Sequence, residues 1–183
     1  MGMGMGMGET FDAAPPRTRR PTTLTHVRTH RYELTLAWRG NRGTGTSASR
    51  AYDRTHEVSA PGKPPIPGSS DPAFRGEPDR WNPEELLVAA LAQCHLLWFL
   101  DLSTRAGVVV TDYSDAPLGT MTEDDAGAGQ FTEVRLRPQV CVAQEAMVDR
   151  AQALHADVGR YCFIARSVAF PVRLEPTTRA SPA

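Results

Sequence analysis

Cysteines are the residues best equipped for chemistry in this 183-residue chain, and the three of them are placed very differently. Cys94 sits in a stretch from Leu86 to Leu100 with no charged residue, where only Gln93 and His95 are clearly polar. A thiol is a nucleophile only as its thiolate, so a cysteine in so dry a setting needs a cation nearby to become reactive. Without one it is a small inert hydrophobe, as free cysteine commonly is. Cys141 falls in a segment that reads as a strand and is expected to be that inert kind. Cys162 follows a second helical segment. His95 comes directly after Cys94, but neighbouring helical residues point about 100° apart, so it is a poor base for that thiol and is expected to be packed in the core or at an interface. His155 lies seven residues before Cys162, and these two with Cys94 and His95 could hold zinc, although the spacing matches no standard finger. Three cysteines are too few for a disulfide scaffold. In a reducing compartment a cysteine pairing points to catalysis before structure.

The segment that must position Cys94 begins Asn82-Pro83-Glu84-Glu85-Leu86-Leu87. Asn82 can cap a helix, Pro83 suits its first position, and Glu85 completes a capping box. Glu84 and Glu85 lie at the positive end of the helix dipole. The helix is expected to run to Ala106, with Gly107 as a left-handed stop. A helix apolar on nearly every side must be buried on nearly every side. A single sheet covers only one side of it, so a second copy of the chain is expected to seal the other, in an intimate homodimer.

Around this helix the pattern is mixed. Residues 32–38 alternate as a strand, residues 39–45 make a turn, and further strands are expected over 46–52 and 56–59. Residues 61–80 hold six prolines and form a long loop of the kind that is usually functional. A strand starting at residues 108–113 and another over 131–137 read as a hairpin turning at 124–129. A second helix fits residues 145–158, and residues 168–174 form a last strand, which Pro171 places at an edge. The fold class is therefore α+β, with antiparallel sheets packed on a long buried central helix. Residues 1–28 read as a disordered arm, 29–177 as one domain and 178–183 as a short tail. Lys plus Arg is 20 against 21 Asp plus Glu, so no basic field exists for nucleic acid. The apolar run over 86–100 is shorter than a membrane span, no export signal is seen at the N-terminus, and the expected location is the cytoplasm.

These features in this order resemble the OsmC/Ohr family of thiol peroxidases. The resemblance rests on the Asn82-to-Leu87 motif, the Ala-rich step to Cys94, the Ala106-Gly107 helix end, and Cys162 between the second helix and a final strand. It implies an intertwined dimer with two long central helices between sheets. It implies that Cys94 attacks the O–O bond of an organic hydroperoxide, becomes a sulfenic acid, and is then closed to a disulfide by Cys162. A lipoyl-type dithiol would reopen that bond, and neither cofactor nor metal is implied. The family arginine that activates the thiol maps best to Arg75, with Arg80 second and Arg39, Arg42, Arg50 and Arg54 behind. Glu84 matches the glutamate that orients it. About 15 Å of straight helix separates Glu84 from Cys94, so Glu84 either serves the thiol of the second copy or works across an arginine. Leu87, Leu91 and Trp98, with Phe74 from the loop, are the expected walls of the substrate pocket. An OsmC-like binder of apolar small molecules with little turnover is the competing expectation.

Overall fold

The computed structural model describes residues 28–182, so nearly all of the arm expected over residues 1–28 lies outside the described residues. From Glu33 onward the chain forms one compact unit. It opens with three short antiparallel strands, β1 (Thr35–Trp38), β2 (His56–Ser59) and β3 (Ile66–Gly68), in the order β1-β2-β3. The strand expected over 46–52 does not form. Asn41 Oδ1 accepts from the amides of Gly43 and Gly45 at 2.9 and 3.0 Å, which coils the segment locally. Such side-chain bonds compete with strand pairing, and only an isolated bridge from Asn41 to Tyr52 remains. The proline-rich loop carries β3 as an edge strand, followed by a single 3-10 turn at Pro72–Phe74 whose Ala73 amide is capped by the Asp71 side chain.

The long helix, α1, runs Pro83–Arg105. Asn82 Oδ1 accepts from the Glu85 amide at 2.7 Å, and Glu85 returns the bond to the Asn82 amide at 3.2 Å. Gly107, at φ 70, ends it in the left-handed conformation that costs glycine least. At 23 residues α1 is longer than the apolar run read from the sequence, and by length and composition alone it is long enough to cross a membrane. Here it packs as a core helix. Leu91, His95, Phe99 and Ser103 are buried along one stripe, while Leu97 and Leu100 on another side stay exposed.

After α1 come β4 (Val110–Ser114), β5 (Leu118–Glu123), β6 (Gly129–Leu136) and β7 (Gln139–Val142), then α2 (Val148–Val158), β8 (Val172–Leu174) and β9 (Thr177–Ala180). The hairpin differs from expectation: β5, not β4, pairs with β6, and β4 pairs with β7. The reason is the turn, where Asp124 Oδ1 accepts from the amides of Ala126 and Ala128 and so brings together the two strands that flank it. The two later sheets are mixed rather than wholly antiparallel, because β8 joins β6 and β9 joins β7 in parallel. β9 occupies the start of the expected C-terminal tail. Its Thr-Thr-Arg-Ala sequence carries no apolar alternation. Side-chain bonds to Gln152 of α2, from Thr178 Oγ1 and to the Pro176 carbonyl, hold it in place. Two apolar clusters result. One gathers Phe99, Val140, Val142, Ala151, Val158 and Cys162 between the helices and β7, and the other sets Leu91 on Val134 and Leu136 of β6.

Candidate active site

Two helices bring the sulfurs together. Cys94 is half-buried in the middle of α1, and Cys162 is buried at the turn that follows α2, where its amide donates to the Val158 carbonyl at 2.9 Å. Cys162 Sγ also accepts from the Ala165 amide at 3.4 Å. Both thiols are free, and Cys94 packs against the apolar cluster that contains Cys162. Burial pushes the Cys162 thiol up to about 11, and the contact with Cys94 adds to the rise. At neutral pH Cys162 is therefore held protonated. Cys141 is buried in β7, as expected of a core cysteine.

Aromatic rings cluster beside Cys162. Trp98, one turn beyond Cys94, stacks on Tyr161 with centroids 5.2 Å apart and meets Phe163 edge-on at 5.6 Å. The two rings flanking Cys162 were not singled out from the sequence, although the run Tyr161-Cys162-Phe163 shows them. Phe163 is 63% exposed, so the cluster reaches the surface.

The other expected residues lie elsewhere. Glu84 and Phe74 line a cleft of about 490 Å³ at the first turns of α1. Trp81, Val88, Leu118, Met121 and Phe131 supply most of its apolar wall. Glu84 Oε2 is buried there without a hydrogen-bond partner. Arg75 is exposed, at φ 67, and its guanidinium bonds the Ser49 carbonyl at 3.5 Å. Arg80 is paired with Glu77, Arg39 with Glu57 and Arg42 with Asp53. Arg54 stacks over Tyr52 and bonds two backbone carbonyls. Among the described residues no arginine forms a hydrogen bond with either sulfur. Leu87 is half-buried, outside the cleft. Leu91 corrects the expected pocket: it is fully buried against β6 and packs the core, whereas Leu97 on another side of α1 is 66% exposed. The cause is that α1 buries the stripe one residue off from Cys94.

His95 is packed, and its partner is His155. Its Nε2 lies 2.9 Å from His155 Nδ1, and burial lowers the two rings to about 4 and about 3. The second imidazole adds to the depression of His155. These nitrogens bond each other, and among the described residues no group of three or more His, Cys, Asp or Glu side chains is arranged to hold a metal.

An α+β domain that gathers two free thiols into one apolar cluster where a capped central helix meets a shorter one defines a class of thiol-bearing proteins. A profile of the OsmC-like protein family matches residues 76–177, and the chain belongs to that family. Its fold is the OsmC-like fold, with sheets packed against a helix. An OsmC-like protein of unknown function from Vibrio cholerae is 27% identical, with a TM-score of 0.72 over 81% of this chain and 99% of that one. An organic hydroperoxide resistance protein from Elizabethkingia anophelis is 14% identical, with a TM-score of 0.59 over 84% of this chain and 100% of that one. The organic hydroperoxide resistance protein OhrB of Bacillus subtilis, 15% identical, gives a TM-score of 0.52 over 81% and 98%. No curated protein matches the chain.

Proposed function

We propose that this chain is a cytoplasmic thiol peroxidase that reduces organic hydroperoxides to alcohols. The observation that carries the reading is that Cys94 and Cys162, far apart in sequence, are brought into one apolar cluster, Cys94 packing against the buried residues that include Cys162. The Cys94 thiolate attacks the distal peroxide oxygen and takes it up as a sulfenic acid, while the alkoxide leaves and is protonated to the alcohol. Cys162 then displaces the hydroxyl, its proton leaves with that oxygen as water, and a Cys94–Cys162 disulfide remains. A lipoyl-type dithiol restores both thiols by exchange and is itself oxidised.

A homodimer completes the site. Leu86, Ala90, Gln93, Leu97 and Leu100 recur at steps of four and three along α1, opposite the buried stripe, and Leu97 and Leu100 are exposed in the single chain. So are Leu36 and Trp38 of β1. Such a stripe fits the isologous contact of a twofold dimer. An axis near Ala89, midway between Glu84 and Cys94, carries Glu84 of each copy to Cys94 of the other. The cleft beside Glu84 then opens onto that thiol, its apolar wall favours organic peroxides over hydrogen peroxide, and Arg75 at the same end of α1 supplies the cation. Within a single chain that cleft contains neither sulfur, which favours the second reading, a binder of apolar small molecules.

Cumene hydroperoxide with a lipoyl dithiol separates the two. The peroxidase reading requires turnover by the native chain and none by Cys94→Ser, with Cys162→Ser halting at a sulfenic acid seen as a dimedone adduct in intact mass. No turnover by a folded native chain refutes it.

A further inference from the structure

The helices that carry the thiols are also joined by the two buried histidines, which the chemistry above leaves unused. The imidazoles of His95 on α1 and His155 on α2 are parallel to within 2° and bonded at 2.9 Å. His155 also stacks on Phe99, with centroids 4.1 Å apart. The two residues are 3% and 2% exposed, and His155 Nε2 is buried with no partner of its own. Among the described residues theirs is the only side-chain hydrogen bond between α1 and α2; the surrounding contacts, Phe99, Ala151, Leu154 and Val158, are apolar. Apolar contact is non-directional and tolerates sliding, whereas a hydrogen bond does not. The end of α2 holds Cys162 tightly through the Val158 carbonyl. Disulfide closure needs Cα atoms about 4.4–6.8 Å apart, while a slip of one residue moves a helix by about 1.5 Å and turns it by about 100°.

We propose that His95 and His155 are a positioning pair, whose hydrogen bond holds α2 in the register at which Cys162 meets Cys94 and so sets the rate of disulfide closure. This rests on the cysteine pairing in the function proposed above, and not on a peroxide being the oxidant. Burial keeps both rings neutral at neutral pH, so the link carries one shared proton and no charge repulsion.

Diamide tests it without peroxide. The Cys94 thiolate adds to its N=N bond, Cys162 displaces the hydrazine, and the reagent leaves with two electrons and two protons as the disulfide forms. Closure in the reduced full-length chain is followed by acid quench, alkylation and intact mass. His155→Phe keeps the ring volume and the stack on Phe99 but strands His95, and closure should slow about tenfold, the factor a lost neutral hydrogen bond represents. Alkylation of Cys94 alone, measured in a Cys162→Ser background, should keep its rate. His155→Asn, with an amide nitrogen where Nδ1 stood, should recover most of the closure rate. The double variant H95F/H155F has no stranded group and should fold well, yet close as slowly as the single variant. Closure at the native rate in the double variant overturns the proposal, and so does failure of Asn to restore it. Should His155→Phe not fold by circular dichroism, the Asn and double variants decide. A native chain that never closes under diamide overturns the cysteine pairing and this inference together. Closure under diamide without turnover of cumene hydroperoxide removes the peroxidase reading alone.

Discussion

Acid should destabilise this protein through its buried imidazole pair. His95 and His155 sit at about 4 and about 3 in the folded chain, against 6.5 for an exposed ring, and burial is the main cause for both. A histidine whose folded value is depressed binds its proton more readily when unfolded. Its contribution to stability is therefore whole above about pH 6.5 and is lost as the pH falls towards the folded values. Integrating the linkage relation from about pH 7 to about pH 5 gives a loss of about 2 kcal/mol per ring and about 4 kcal/mol for the pair. That is a large part of the roughly 5–15 kcal/mol by which domains are stable. Urea unfolding of the native chain and of H95F/H155F at the two pH values isolates the term, because contributions from Asp115, which burial raises, and from Glu133, which its arginine partners lower, are common to both chains. The native chain should lose about 4 kcal/mol more than the double variant. Equal losses in the two would show that the rings are not held neutral by burial, and the reasoning would fail.

Two further outcomes test the frame around the site. Leu97→Asp places a charge on the exposed stripe of α1, where a lone chain would tolerate it. Light scattering should show dimer converted to monomer with helical circular dichroism kept, and an unchanged mass would refute the proposed contact. Asn82→Ala removes the cap bond from the Glu85 amide to Asn82 Oδ1, at a residue 3% exposed, while keeping the backbone amide that donates to Glu85, and should cost about 1–2 kcal/mol in urea unfolding. A change of a few tenths would mean that the box contributes little.

Much of this arrangement is legible before any coordinates. The cap at Asn82, the stop at Gly107 and the helix between them are local matters, decided by residues three or four apart and by the one conformation that glycine adopts cheaply. The family resemblance and the OsmC-like fold rest on the same local signals in order. The pairing of strands was less legible. Residues 110–114 alternate as well as 118–123 do, and only the Asp124 turn and the Asp115 contact to the Arg137 amide select which of them meets β6. β9 escaped because pairing with β7 and side-chain bonds to α2, not its own pattern, hold it.

The site divides along the same line. Residue types alone mark Cys94 as a thiol carried into an apolar helix, and the uncovered side of that helix as a demand for a second copy. Which face of α1 turns inward depends on the sheet beneath it, and this made Leu91 a core residue and left Leu97 outside. Sequence separation carries no information on which buried groups meet. The packing of Cys94 against the cluster of Cys162 and the bond of His95 to His155 both exist because α2 folds back across α1, and packing at that crossing decided them.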